Sequence, residues 1–387
     1  MIICVLGRQP ELGIAELEAI AGKGNVRRVG RDCAFVDTDK GLSQKGLGGT
    51  VKMGELIATF PSIEIRAIAP RLISEVERAI AGPEGGKRVF GLSAYGLRVG
   101  RGRLTGLALA VKRKLGSRGI SARAVLGKGQ ELNSAQVMHK GLDGKGGHEF
   151  LIVGDGQKTY LAKTVSVQDI DSYSKRDYGR PGRDTKTGML PPKLAQIMLN
   201  LAGAGPGTTV LDPFCGTGVV LMEAALMGCR VEGSDINQRM VDCTRENLSW
   251  LSKEYNLRTE VRRLGVADAT AHHWGDGIER VVSEIYLGPP LSHNPGRAEL
   301  DAIVGQCNGI AARFLKNLRP QLGADARCCI AVPAWFHDGR IVHLPVSRVL
   351  EGLGYARVRF SHAGPEGLVY RRPGQHVARE LLVLMPK

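Results

Sequence analysis

Val210-Leu211-Asp212-Pro213-Phe214-Cys215-Gly216-Thr217-Gly218 reads as a short apolar strand that ends in a carboxylate and passes at once into a Gly-x-Gly turn. Residues 219–227 follow as an apolar helix. Two glycines let the backbone come close to a ligand, and the first turn of the helix offers it unpaired N–H groups. From Pro191 onward, strand and helix signals alternate in the manner of a doubly wound parallel sheet. The back half of the chain is therefore expected to be α/β and Rossmann-like.

A lone Gly-x-Gly does not name its ligand, so the neighbouring residues must. A dinucleotide loop wants a third glycine where this chain has Leu221, and a carboxylate at 212 would repel a pyrophosphate. Asp212 suits a cation instead. S-adenosylmethionine carries an ammonium and a sulfonium, which gives an acid beside the glycine turn an electrostatic purpose. Seventeen positions after Gly218 the strand over 230–234 ends at Asp235, the place for a carboxylate that accepts both ribose hydroxyls. Asp268 falls where the next strand ends and suits the adenine amino group. The expected cofactor contacts are Asp212, Pro213, Cys215, Gly216, Thr217, Gly218, Asp235, Ile236, Asp268 and Ala269. The plainer alternative is that the acids cap the helices that follow them.

The 387 residues suffice for two or three domains, each with its own core. Net charge is +15 and unevenly spread: residues 1–165 hold 26 Lys and Arg against 15 Asp and Glu, whereas 166–387 hold 27 against 23. A basic front half attracts a polyanion, most commonly nucleic acid, or simply forms a solvated face. The eight cysteines form no Cys-x-x-Cys pair, which suits free thiols in a reducing compartment. The nine histidines are scattered, and His272-His273 lacks partners at ligand spacing, so no metal is expected. The apolar run 1–6 is too short for a signal peptide or a membrane span, and a cytoplasmic location is the expectation.

In the front half, strands are expected over 2–6 and 33–36 with a helix over 10–21 between them. Alternating Ile63, Ile65 and Ala67 suggest a strand ended by Pro70, then a short helix over 72–80 closed by Gly82-Pro83. The clearest helix covers 103–118, with Leu104, Leu107, Leu109, Val111 and Leu115 on its apolar face. Its basic residues Lys112, Arg113, Lys114 and Arg118 are candidate phosphate contacts. A hairpin is expected from 148–153 and 159–165 about Gly154-Asp155-Gly156. Residues 174–188 are rich in charge, Gly and Pro, which reads as an interdomain connection.

Several of these segments resemble a known family, the tRNA guanosine N2-methyltransferases that join a THUMP RNA-binding domain to a class I methyltransferase domain. The resembling residues are Arg176 to Asp184, Gly188 to Ala195, the loop from Asp212 to Gly218, and the opening Leu6-Gly7-Arg8-Gln9-Pro10-Glu11-Leu12 with Ala15-Glu16-Leu17-Glu18. The resemblance implies a ferredoxin-like piece over 1–60, a THUMP-like RNA-binding region over 61–170, a linker over 171–190 and a class I methyltransferase domain over 191–387. It further implies tRNA as partner and methylation of the exocyclic N2 of a guanosine, guanosine ten in the best-known members. Arg180, Arg183 and Lys193 become candidate phosphate contacts near the active site, with a solvated linker as the alternative.

An exocyclic amine is a weak nucleophile because its lone pair is delocalised, so acceptors must hold its N–H groups and aim it at the methyl. The family usually does so with Asp-Pro-Pro-Tyr at the end of the fourth strand. This chain has Glu284-Ile285-Tyr286-Leu287-Gly288-Pro289-Pro290-Leu291 instead. Alignment by the strand makes Glu284 the carboxylate acceptor, the Ile285 carbonyl the second acceptor and Tyr286 the residue that stacks on an extruded base. Alignment by Pro289-Pro290 puts Gly288 in the acid position and leaves no carboxylate, so the strand register is preferred. Tyr286 as an ordinary core tyrosine stays open. Two other readings also stand: an adenine-N6 or other amino methyltransferase on RNA or DNA, and a silent tRNA-binding scaffold whose acceptor segment has degenerated. An accessory subunit is left open.

Overall fold

The computed structural model describes residues 1–38, 41–81, 86–144, 146–184, 189–291, 293–364 and 367–387. It divides into two compact units, Met1–Ser172 and Tyr173–Lys387.

Unit 1 is built on one eight-stranded sheet of order β2-β3-β1-β4-β8-β7-β5-β6. Its strands are β1 (Ile2–Leu6), β2 (Val26–Val29), β3 (Cys33–Val36), β4 (Thr50–Phe60), β5 (Arg88–Tyr95), β6 (Ala122–Val125), β7 (Gly147–Gly154) and β8 (Thr159–Val167). Its helices are α1 (Pro10–Ala21), α2 (Ile65–Ile80), α3 (Arg101–Gly116) and α4 (Ser134–His139). Strand β4 pairs with both β1 and β8, so one sheet crosses the boundary expected at residue 60. In the Ala15-Glu16-Leu17 segment, Glu16 is fully buried and accepts from Gly48 N (2.9 Å) and Gly49 N (2.8 Å), fastening α1 to the loop that enters β4.

The expected strand at 63–67 is instead the first turn of α2. Ile65, Ile68, Leu72, Val76 and Ile80 recur every three or four residues and all are buried, a helical stripe that the alternation of Ile63, Ile65 and Ala67 concealed. Pro70 lies within that helix and does not end a strand. The Gly82-Pro83 stop lies outside the described residues. Leu109, expected on the apolar face of α3, is 49% exposed, while Leu104, Leu107, Val111 and Leu115 are buried against α2 and the sheet. The hairpin forms as expected, with Asp155 Oδ1 accepting from Gln157 N and Lys158 N at its turn.

Unit 2 carries a nine-stranded sheet of β9 (Thr209–Asp212), β10 (Arg230–Asp235), β11 (Val261–Val266), β12 (Ile278–Glu284), β13 (Leu322–His337), β14 (Arg340–His343), β15 (Tyr355–Arg357), β16 (Val369–Tyr370) and β17 (Val377–Pro386). The main path is β11-β10-β9-β12-β13-β17-β15; the first five strands are parallel and β17 is antiparallel to β13 and β15. Helices α6 (Pro192–Leu201), α7 (Val219–Leu226), α8 (Gln238–Glu254) and α9 (Arg297–Leu318) complete the α/β, Rossmann-like arrangement. One face of the sheet packs on α9 through Phe314, Leu315 and Leu318 with Val281, Ile330 and Trp335.

Much of the connection expected over 171–190 is folded onto unit 2. It begins in helix α5 (Ile170–Tyr178), where Arg176 is buried and forms a two-pronged ion pair with Glu223 of α7, Nε to Oε1 at 2.6 Å and Nη2 to Oε2 at 3.1 Å. Residues 185–188 lie outside the described residues. Among the described residues, no helix is long and apolar enough to cross a membrane.

The heart of unit 1 holds a buried polar knot. Glu149 accepts from Lys52 Nζ, Ser93 Oγ and Thr164 Oγ1, and Lys52 also donates to Leu132 O at 2.6 Å. The side chains of Lys52 and Glu149 are 2% and 0% exposed, so removing one charge strands the other away from water. Lys52→Met, close in shape but neutral, is expected to cost about 3–5 kcal/mol, read as a lower urea midpoint by circular dichroism.

Candidate active site

The loop after β9 is shaped by its glycines. Gly216 and Gly218 have φ of +52° and +81°, and a Cβ on Gly218 would lie 2.8 Å from the Thr244 methyl. Thr244 and Asn247, one turn apart on α8, hold this loop from behind. Thr244 Oγ1 donates to Gly216 O at 2.7 Å. Asn247 Nδ2 donates to Thr217 O (2.7 Å) and Gly182 O (2.8 Å), while its Oδ1 accepts from Gly182 N (2.8 Å). One asparagine thus ties the Arg180-Pro181-Gly182 segment to the glycine loop.

This loop forms one wall of a cavity of about 450 Å³, in the range of small-molecule sites. Asp212, Cys215, Gly216 and Thr217 line it, as do Glu284, Ile285 and Tyr286, so the expected cofactor loop and the expected acceptor segment share one space. Asp184, Met189 and Leu190 contribute a second side, and Gln375 to Val377 with Arg379 a third.

Asp212 is 2% exposed at the end of β9. Its Oδ1 accepts from Ser283 Oγ (2.6 Å) and Phe214 N (3.2 Å), but burial outweighs these bonds and lifts its carboxyl to about 7. Glu284 ends β12, as the strand register requires. Burial also raises its carboxyl, and the Arg379 guanidinium, which donates from Nε to Oε2, opposes that shift. Ile285 is buried and its N–H donates to Ala331 O at 3.1 Å. Tyr286 is 37% exposed on the cavity wall, not a core tyrosine.

Other expected contacts lie outside this cavity. Pro213 accepts through its carbonyl from Ser234 Oγ (3.3 Å), and Gly218 starts α7 against Thr244. Asp235 accepts from Gly216 N with Oδ2 and from Asn237 N with Oδ1, both at 2.9 Å, bracing the loop from the next strand. Ile236 beside it is 72% exposed. Asp268 closes a turn, with no helix after it: its Oδ1 accepts from Thr270 N and Oγ1, and its carbonyl accepts from Ala271 N and His272 N. Those bonds hold its carboxyl below the usual range. Ala269 is buried in the core with Leu211 and Trp274.

The basic candidates divide likewise. Lys112 and Arg113 are exposed on α3. Lys114 donates to Ser74 Oγ at 2.6 Å and Arg118 pairs with Glu77, so both brace α3 against α2. Arg180 is corrected outright: its side chain has no exposure, and it donates to Arg176 O (2.8 Å) and Met189 Sδ (3.1 Å). A phosphate cannot reach it there. Arg183 stands over the Tyr178 ring at 5.5 Å and Lys193 over the Tyr173 ring at 5.1 Å.

Sequence reasoning missed Arg379, Ser283, Thr244, Asn247 and the Arg176–Glu223 pair. Arg379-Glu380 interrupts an otherwise apolar run over 377–385, and two charges in a central strand are a signal of buried pairing. Thr244 and Asn247 share the buried stripe of Val241, Leu248 and Leu251, where polar residues demand partners.

Residues 180–270, which hold the glycine loop and the Asp212 carboxylate at the end of a parallel strand, match the family model described as RMKL-like, methyltransferase domain. The tRNA (guanine(10)-N2)-dimethyltransferase of Methanothermobacter thermautotrophicus is 61% identical over 147 residues, 38% of this chain and 39% of that protein. The enzyme of the same name from Methanocaldococcus jannaschii is 38% identical over 115 residues, 28% and 30% of the two chains. The matched segments span less than half of either relative. The crystal structure of TrmN from Thermus thermophilus has the same fold, with a TM-score of 0.56 and 16% identity over 100% of this chain and 99% of that one.

Asn247 satisfies three buried backbone groups at once. Asn247→Ala is expected to cost about 3 kcal/mol or more, at about 1–3 kcal/mol for each buried group left unpaired. The three tryptophans lie at 250, 274 and 335, so a lower denaturation midpoint by fluorescence reports on unit 2 directly.

Proposed function

We propose that this protein transfers a methyl group from S-adenosylmethionine to the exocyclic N2 of a guanosine in tRNA, guanosine-10 by analogy with its relatives. The reading extends to unit 1 as the ferredoxin-like and THUMP-like RNA-binding region, with Lys112 and Arg113 as phosphate contacts. One observation carries it: a single cavity joins the glycine loop and the buried carboxylate Asp212 to the strand-end segment Glu284-Ile285-Tyr286.

The residues fit the donor. Asp212 is a buried carboxylate whose hydrogen-bond partners are neutral and whose neighbouring charges, Asp235 and Glu284, are of like sign. Such a group calls for a cation, and S-adenosylmethionine would supply one together with an activated methyl. Gly216 and Gly218 give the ligand access to the backbone, Asp235 stands ready beside them for the ribose, and Ile236 offers an apolar surface. Opposite, Glu284 and the Ile285 carbonyl accept from the amine and hold its lone pair toward the methyl, while Tyr286 stacks on the base. Glu284 must be ionised to do this. Arg379 favours that form against the cost of burial.

Incubation with labelled donor and unmodified tRNA transcript, followed by digestion to nucleosides, is expected to yield N2-methyl- or N2,N2-dimethylguanosine. Methylated adenosine would instead support an amino methyltransferase of the adenine class, and tRNA binding without transfer a scaffold. Glu284→Ala is expected to lower kcat by about 100-fold or more, the loss typical of one oriented acceptor or donor.

The Asp212 shift sets a pH dependence. Below about pH 7 its carboxyl is protonated in the free protein and must ionise to hold a cation, so donor affinity falls as pH drops from 8 to 6. For folding the sign is reversed: the unfolded carboxyl ionises near its ordinary value, so this group's contribution to stability declines as pH rises from about 4 to about 7. Calorimetric titration with S-adenosylmethionine should show the first trend in the wild type and a flat profile in Asp212→Asn.

A further inference from the structure

Glu284 does not stand alone in the cavity. Arg379, from the far end of the sequence, lines the same wall and donates from Nε to Glu284 Oε2, with side-chain exposures of 5% and 17%. Arg379 is fixed by its strand, where it is registered against Pro333 of β13.

We infer that the Glu284–Arg379 pair is a recognition subsite for the Watson–Crick edge of guanine, in which Glu284 accepts from N1–H and N2–H and Arg379 donates to O6. The inference rests on the guanine reading above and deepens it. Along its edge guanine presents an acceptor, a donor and a donor. A guanidinium beside a carboxylate presents a donor, an acceptor and an acceptor in the same order. The observed pairing through Nε and Oε2 places the guanidinium next to the oxygen that would face N1, and the guanidinium is a planar fork of N–H donors with no acceptor of its own. Oε1 then faces N2, the reacting atom.

Adenine meets this array with the wrong polarity at both positions. Its N6 amino group would face the guanidinium and its N1 lone pair would face Oε2. Because both side chains are largely removed from water, such mismatches go uncompensated, which is the circumstance in which hydrogen bonding discriminates most strongly. Tyr286, two residues past Glu284 on the same wall, offers a face to the ring. The chemistry balances through the same oxygen: the N2–methyl bond forms as the sulfur–methyl bond breaks, the latter's electron pair stays on sulfur, and the proton lost from N2 passes to Glu284.

The test uses the whole protein and tRNA transcripts that differ only at the methylated position, guanine in one and 2-aminopurine in the other. The analogue keeps the 2-amino group but lacks O6 and N1–H. For the wild type, kcat/KM is expected to fall by about 100-fold or more on the analogue. Arg379→Lys retains the charge but loses the planar fork, and should narrow the preference about tenfold or more. Circular dichroism checks that the variant folds. A merely structural ion pair would lower both substrates together and leave their ratio intact. Equal rates on the two transcripts in the wild type, or an undiminished preference in the variant, would overturn the subsite while leaving guanine methylation in place. Absence of transfer to any guanine defeats the functional reading itself, and the subsite with it.

Discussion

Two carboxylates held away from water at the ends of adjacent strands govern the architecture of unit 2. Strands β9 and β12 are direct neighbours, pairing Val210 with Arg280 and Leu211 with Val281, so Asp212 and Glu284 emerge on the same edge of the sheet. Burial penalises the charge on each. Glu284 is answered from within the chain by Arg379, whereas among the described residues Asp212 accepts from a hydroxyl and an amide. The two similar groups are therefore treated unequally, and on the proposed reading the donor's cation would answer Asp212.

How Arg379 reaches Glu284 follows from one reversal in the sheet. The carboxyl edge of parallel strands is where open α/β sheets build their sites. A further parallel strand would present its final residues there. Because β17 runs antiparallel to β13, it presents its first residues instead, and Arg379 is the third residue of the strand. The next residue, Glu380, points to the opposite face, where it pairs with His343 and Arg357. Alternation along one strand therefore separates two charge clusters that adjoin in sequence.

The legible parts of this protein were those written in a local code. Period-two and period-3.6 patterns gave β1, α1, β3 and the β7–β8 hairpin, and the glycine loop announced itself through residues whose roles are fixed by backbone geometry. Where two codes overlapped, reading failed: Ile63, Ile65 and Ala67 alternate like a strand, yet Ile65 belongs to a stripe completed only at Ile80. Composition misled at Arg176 and Arg180. Charge, Gly and Pro suggest solvent, but a guanidinium opposite Glu223, 47 residues away, can be interior. No local pattern reports a partner at that separation. At Asp268 a strand-end carboxylate is equally a ligand contact and a turn-former, and its bonds to Thr270, two residues later, make it the second without deciding the first.

The acceptor segment shows how register can be argued when a motif is broken. Pro289-Pro290 invites alignment, but it stands five residues past the end of β12, and what fills the interval is a packing requirement. Gly288 has φ of +91°, and a Cβ there would lie 2.9 Å from the Ile303 side chain and 3.5 Å from Cys307 Sγ on α9. A residue with a side chain could not occupy this bend so close to the helix. Gly288 therefore answers to the helix behind it, while the position defined by the sheet's own hydrogen bonds, opposite Ala331, belongs to Glu284. Strand pairing fixes a side chain's direction in a way that a nearby dipeptide cannot, so the sheet, not Pro289-Pro290, sets where the Glu284 carboxylate is held.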